Sequence, residues 1–205
     1  MKKLLLSAFV ICLAGTSIAQ ESPLWMRHCA LSPDGTTIAF TYKGDIYTVP
    51  STGGRATQIT TNPAFDTEPV WSPDSKQIAF ASDRMGSLDV FVVSSEGGAP
   101  QRLTTHSGSE KPVAYKDNKH ILFTANIAPS AEDAGFPSGQ FQQVYEVAVT
   151  GGRPAMFSSM PMECISINKE GVMLYQDKKG YEDYWRKHQK SPIARDIWML
   201  RSGQT

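Results

Sequence analysis

Three aspartates recur at regular intervals and carry side chains that could do chemistry. Asp34, Asp74 and Asp117 lie 40 and 43 residues apart, each in a short polar turn with the sequence SPDG, SPDS or YKDN. Carboxylates in such places would suit general acid catalysis or calcium binding. The turn also has a structural explanation, because proline presets φ, aspartate bonds its own backbone and glycine accepts positive φ. Since the turn recurs at the same place in each repeat, the structural interpretation is favoured.

The turn belongs to a longer repeated unit. An apolar run (IAF, IAF or ILF) follows it, then a second apolar run and a Gly-Gly pair at 53–54, 97–98 and 151–152. A period near 40 residues that contains only strands and turns is typical of β-propeller blades. We therefore predict an all-β fold, a β-propeller of four-stranded antiparallel blades. About four blades are expected, at roughly 25–60, 61–104, 105–158 and 159–205.

Four strands, A to D, are predicted for each blade from short runs rich in β-branched and aromatic residues. Strand A is expected at 27–31, 69–71, 112–114 and 163–167, and strand B at 36–42, 77–82, 120–126 and 172–176. Strand C is expected at 45–49, 89–94, 143–149 and 196–200, and strand D at 57–60, 101–104 and 154–157. The loops between blades then cover 61–68, 105–111 and 159–162. The fourth repeat lacks a strand D, so its blade is expected to be incomplete and the ring open.

The N-terminal segment 1–19 has the features of a secretory signal peptide. Lys2 and Lys3 precede an apolar run at 4–14, and a small-x-small cleavage pattern ends at Ala19. The mature chain would begin at Gln20 and be periplasmic or secreted. The apolar run is too short to cross a bilayer, and no other span is predicted. With 20 basic and 20 acidic residues and no clustered basic face, nucleic-acid binding is not expected.

No catalytic, metal or cofactor site is predicted within this chain. The histidines show no ligand spacing, and neither a GxSxG elbow nor another nucleophile–base pair is present. Cys29 and Cys164 fall in equivalent apolar strands of the first and fourth repeats, which a propeller holds apart. Two buried free thiols are therefore favoured over a disulfide.

Functional interest falls on two insertions between strands B and C, at 127–142 and 177–195. These loops share a face with the loops between blades, whereas the SPDG and Gly-Gly turns lie on the opposite, plain face. The second insertion mixes aromatic anchors with cations, at Tyr181, Tyr184, Trp185, Arg186, Lys187 and His188. Two interpretations remain open: a docking surface for a peptide or partner protein, or a loop whose aromatic side chains pack onto the blade.

The repeats PVWSPDSKQIAFASDRMGSLDVFVV and ALSPDGTTIAFTYKGDIYTVPSTGG resemble those shared by TolB and the tricorn-type proteases. The segment KGYEDYWRKHQKSPIARDIWML resembles the fourth blade of the N-terminal propeller in bacterial tricorn protease homologues. The resemblance covers the chain from about Trp25 to its end. It implies the N-terminal propeller portion of an exported serine peptidase, which guides or gates peptides to a catalytic core outside this chain.

In that family the catalytic serine and histidine lie downstream, so the resemblance assigns neither to any of the 205 positions. The partners it implies are peptides or unfolded polypeptide, downstream domains of the same polypeptide and a homo-oligomeric assembly. Two alternatives stay open: a non-enzymatic, TolB-like periplasmic binding protein, and the propeller of a prolyl-oligopeptidase-type enzyme. The sequence that follows Thr205 would discriminate between the three.

Overall fold

The computed structural model describes residues 25–126, 142–160, 162–168, 170–177 and 196–201. These residues form fifteen strands and no helix. The strands are β1 (Arg27–Leu31), β2 (Thr37–Tyr42), β3 (Asp45–Pro50), β4 (Thr57–Gln58), β5 (Asp66–Trp71), β6 (Gln77–Ser82), β7 (Asp89–Ser94), β8 (Gln101–Arg102), β9 (Glu110–Tyr115), β10 (His120–Ala125), β11 (Gln143–Ala148), β12 (Ala155–Ser158), β13 (Met162–Ile167), β14 (Met173–Asp177) and β15 (Ile197–Leu200).

The strands form four consecutive antiparallel sheets, which confirms the predicted all-β propeller. Three sheets have four strands in chain order, and the fourth has the three strands β13, β14 and β15. The first strands of successive sheets, β1, β5, β9 and β13, contact one another in sequence and form the inner wall. Within the part of the chain described, no helix is long and apolar enough to cross a membrane.

The hydrophobic core lies between the sheets. Each of the first three sheets stacks an aromatic pair across strands B and C: Phe40 on Tyr47 at 5.9 Å, Phe80 on Phe91 at 5.9 Å and Phe123 on Tyr145 at 5.7 Å between ring centroids. The second of these pairs packs against the preceding sheet, on Ala39 and Ile46. A blade thus buries its aromatic face only by stacking on its neighbour, which explains why the unit must repeat.

The Gly-Gly pairs close the hairpins between strands C and D. Gly53 and Gly54 have φ values of 87° and 124°, and the two later pairs repeat these angles closely. Residues with a Cβ rarely adopt this conformation, so the turn requires glycine.

Strand A begins earlier than predicted in two blades. β5 starts at Asp66 and β9 at Glu110, although both residues were predicted to lie in the loops between blades. A bulge allows the extension of β5: Glu68 has a φ of 54°, and two residues, 68 and 69, lie opposite the single residue Phe80. Glu68 and Pro69 lie within this segment, and because both residue types are uncommon in strands, the sequence pattern did not indicate a strand there.

Candidate functional site

The predicted contact residues of the repeat-four insertion lie outside the described residues. β14 ends at Asp177 and β15 begins at Ile197, so the insertion joins strands B and C of the fourth sheet. The six predicted positions are Tyr181, Tyr184, Trp185, Arg186, Lys187 and His188. Their role as peptide or partner contacts stays a prediction.

The recurring aspartates are turn residues. Asp34 Oδ1 accepts hydrogen bonds from Ser32 Oγ at 2.6 Å, from Thr36 Oγ1 at 2.8 Å and from the Thr36 backbone N–H at 2.9 Å. The Ser32 hydroxyl, and then the two Thr36 donors, lower the pKa of Asp34 from 3.8 to about 2. A carboxylate so fixed in its ionised form suits a turn and is a poor general acid.

The same arrangement recurs in the other turns. Asp74 accepts from Ser72 Oγ at 2.7 Å, and Asp117 from the backbone N–H of Lys119 at 2.7 Å. In the fourth sheet the accepting side chain is that of Asn168, which lies at the place of Ser32 and accepts from the Val172 N–H at 2.9 Å. The described residues contain no group of three or more histidine, cysteine or acidic side chains that could hold a metal ion.

The inner strands of all four sheets line one cavity of about 710 Å³, here called the central cavity. Its wall is polar and apolar in about equal measure, and the apolar part includes Leu31, Val70, Val113 and Ile165, one residue from each inner strand. At the SPDG-turn face, Lys116 and other turn residues also line it. This site was not predicted from the sequence, although many of its lining residues lie in the strands predicted at 27–31, 69–71, 112–114 and 163–167.

The opposite end of the inner wall carries buried charges. Asp66, which is fully buried, accepts two hydrogen bonds of 2.9 Å from Arg84 Nη2, and the Arg84 guanidinium lies 4.5 Å from the Phe91 ring centroid. Between the next two inner strands, Lys111 Nζ donates to Glu68 Oε1 at 2.8 Å. These ion pairs tie strand A to its own blade and to the following one.

A second buried acidic group lies between the second and third sheets. Glu110 is 1% exposed, and burial, followed by the nearby Asp89 charge, raises the pKa of its carboxyl. Asp89 is fully buried and paired with Arg102 at 2.8 Å. Asp66 and Glu110 occupy equivalent places, because each is the first residue of its inner strand, six and five residues before the turn, and this recurrence of an acidic residue is visible in the sequence.

Both cysteines differ from expectation in their burial. Cys29 and Cys164 are free, as favoured, but both are exposed. Cys164 sits at the bulge of β13 with a φ of 51°. The bulge adds a residue to the strand and leaves Cys164 exposed, although the strand is apolar as a whole.

The chain belongs to a family of propeller domains found in peptidases. Residues 23–205 match the family model described as the tricorn protease N-terminal beta propeller domain, so the chain is a member of that family.

Two relatives are similar in sequence to parts of this chain. It is 32% identical over 108 residues to the uncharacterized peptidase YuxL of Bacillus subtilis (strain 168), a match that covers 47% of this chain and 16% of that protein. It is 39% identical over 77 residues to tricorn protease homolog 1 of Streptomyces coelicolor, covering 38% of this chain and 7% of that protein. The chain therefore spans only a small part of the length of these relatives.

A solved structure of a TolB protein from Agrobacterium tumefaciens has the same fold. The two superpose with a TM-score of 0.61 at 23% identity, over 85% of this chain and 62% of that one. At this level of identity the likeness supports the propeller architecture alone.

Proposed function

We propose that this chain is the N-terminal propeller of a serine peptidase and that its central cavity guides extended peptides to a catalytic core outside residues 1–205. The observation that carries the proposal is the match of residues 23–205 to the tricorn N-terminal propeller family. Two relatives are named as a peptidase and as a tricorn protease homolog, which agrees with it. The catalytic core would perform acyl transfer through an activated serine and an oxyanion hole.

The central cavity supplies the physical argument for guidance. A volume of about 710 Å³ admits side chains and an extended backbone but excludes a folded domain. The apolar side chains of its wall favour those side chains that a folded protein buries and an unfolded one exposes, and its polar groups can bind the peptide backbone. Peptides and unfolded polypeptide are therefore the proposed ligands, and the downstream domains of the same polypeptide and further copies of it are the proposed partners.

Export is part of the proposal. The basic residues Lys2 and Lys3, the apolar run at 4–14 and the small residues before Gln20 support a cleaved signal peptide. N-terminal sequencing of the protein recovered from the periplasm or medium should begin at Gln20. Recovery of the whole protein in the cytoplasm with Met1 retained would refute export.

The function is tested by narrowing the cavity in the complete polypeptide. Ala114 lines the cavity and is half-buried, so Ala114→Trp should obstruct it without touching a catalytic group. We expect kcat/KM for a long unstructured peptide to fall at least about tenfold, whereas that for a short chromogenic substrate stays unchanged. Arg55→Trp, at an exposed position away from the cavity, is the matched control. An equal loss for both substrates, or no loss for either, would contradict guidance through this cavity.

A further inference from the structure

A separate cavity of about 300 Å³ lies between the first and second sheets. Hydroxyl side chains form most of its wall, and the carboxylates of Asp34 and Glu96 stand on it. Ile59 and Trp71 contribute apolar surface. As far as the described residues define it, the lining contains no lysine, arginine or histidine. We call it the Asp34–Glu96 pocket.

Around Asp34, the hydrogen bonds of this wall engage three hydroxyl protons and leave oxygen lone pairs free. Ser32 and Thr36 both direct their hydroxyl protons to Asp34 Oδ1. Thr37 Oγ1 lies 3.3 Å from Thr36 Oγ1 and must be the donor there, because the Thr36 proton is already committed. The wall therefore offers lone pairs and negative charge, a combination that suits a ligand rich in N–H donors.

One further hydroxyl of the pocket has no hydrogen-bond partner among the described residues. Thr48 lines the pocket and is only 9% exposed, and its side chain makes no hydrogen bond to any residue described. Its oxygen is not one of the fully buried atoms that lack a partner, so it is accessible from the pocket, and a bound polar group can take the place of water there. This orphaned group is independent of the two carboxylates and also indicates a polar ligand.

The next interblade gap shows why a pocket exists here. Between the second and third sheets, Gln101 Nε2 donates to the Thr150 backbone oxygen at 3.1 Å and spans the gap. Thr57 and Glu96 take the equivalent places in the first gap, as the strand registers show. Threonine is too short to reach across, so the gap stays open and carries a carboxylate.

We propose that the Asp34–Glu96 pocket binds the guanidinium or ammonium group of a basic peptide side chain. The carboxylates and hydroxyl oxygens would accept its N–H groups, while Ile59 and Trp71 contact its aliphatic stem. The pocket is distinct from the central cavity, although Trp71 borders both. Its occupancy therefore does not depend on guidance through the central cavity, and each can fail without the other.

The test uses the 205-residue chain at low ionic strength and a blocked Ala-Arg-Ala tripeptide, with the neutral citrulline analogue as its match. Binding is followed by NMR at the Trp71 indole N–H, which donates to the Ala30 carbonyl at 2.9 Å. We expect a saturable shift with the arginine peptide and at least about tenfold weaker binding of the citrulline peptide.

Two variants introduce into the pocket the residue types that occupy the equivalent places between the second and third sheets. Thr57→Gln should fill the pocket as Gln101 does, and Glu96→Thr should remove its charge as Thr150 does. Each should weaken binding of the arginine peptide about tenfold or more, with the remaining amide spectrum unchanged. Glu170→Gln, at an exposed carboxylate of the fourth sheet, should bind as the parent chain does.

Three outcomes with the arginine and citrulline peptides would overturn the proposal. They are the absence of any saturable shift with the arginine peptide, equal binding of the arginine and citrulline peptides, and unchanged binding in both Thr57→Gln and Glu96→Thr. A neutral disaccharide that binds more tightly than the arginine peptide would also overturn it, because it would assign the hydroxyl wall to a sugar.

Discussion

Arg84, in the loop that follows β6, holds the carboxylate of Asp66 at the start of β5 in the same sheet. A single guanidinium nitrogen donates to both carboxylate oxygens at 2.9 Å, and the acid is fully buried. The pair fixes the start of the inner strand β5 at the same end of the blade where the loops between blades begin. Because a buried charge is tolerated only when paired, the contact sets the position of the inner wall.

Arg84→Ala should therefore destabilise the protein. It leaves the buried Asp66 carboxylate without its counter-ion, and we expect the free energy of unfolding to fall by about 3 kcal/mol. Urea denaturation followed by tryptophan fluorescence measures the loss. Arg55→Ala, at an exposed position, should change stability by less than about 0.5 kcal/mol. A loss in Arg84→Ala no larger than that of the control would show that the pair contributes nothing.

Glu110 should make stability depend on pH in the direction opposite to an ordinary ion pair. Burial raises the pKa of its carboxyl above the ordinary 4.5, so the folded state holds the proton more tightly than the unfolded one. Its contribution is complete below pH 4.5 and is lost as the pH rises through the folded-state pKa. We expect Glu110→Gln to be more stable than the parent at pH 7, with a difference that shrinks toward pH 4.5.

Urea midpoints of both proteins between pH 4 and pH 8 provide the measurement for Glu110. If the Glu110→Gln protein is less stable than the parent at pH 7, by an amount that grows with pH, the ionised Glu110 carboxylate stabilises the folded state and the prediction is wrong.

Ser32 should control the titration of Asp34. Its hydroxyl is the largest influence that lowers the pKa of Asp34 to about 2, so Ser32→Ala should move that pKa upward toward 3.8. Carboxyl-carbon NMR of the Asp34 side chain follows the titration. In the parent, the turn's contribution to stability is present above pH 3.8 and lost as the pH falls through about 2. An unchanged midpoint in Ser32→Ala would assign the shift to the Thr36 donors.

Tyr115→Phe should be neutral or stabilising. The Tyr115 hydroxyl is buried, has no hydrogen-bond partner in the described ranges, and burial raises its pKa well above 10. Because the variant no longer has to desolvate this hydroxyl on folding, we expect its free energy of unfolding to be higher than that of the parent by zero to about 1 kcal/mol. A loss of about 2 kcal/mol or more on urea denaturation would reveal a partner for the hydroxyl.

The repeats allowed the sequence to predict most of the architecture. Turns like that at Asp34 and the Gly-Gly pairs mark the ends of strands in the blades, and the strands between them lie within a few residues of their predicted places. The starts of β5 and β9 could not be predicted in the same way. Asp66 and Glu110 are acidic residues at the beginning of buried strands, and only their tertiary partners make that position stable.

The sites were harder to predict than the fold. The central cavity is lined by residues from four inner strands, so it exists only once the blades are stacked. The Asp34–Glu96 pocket exists because the side chain of Thr57 is shorter than that of Gln101, which takes the equivalent place in the next gap. The importance of this difference becomes visible only when the repeats are superposed in space. Strongly patterned elements follow from local sequence, whereas a cavity between them follows from packing.

Photo-crosslinking at Leu31 tests the central claim most directly. Leu31 is 59% exposed and lines the central cavity, whereas Met85 is 61% exposed and is not among its lining residues. With benzoylphenylalanine at either position, the complete polypeptide is irradiated with an unfolded protein substrate or with the same substrate folded. We predict crosslinks from position 31 to the unfolded substrate alone, and none above background from position 85. Equal crosslinking from both positions, or to the folded substrate as well, would contradict guidance of unfolded polypeptide through the central cavity.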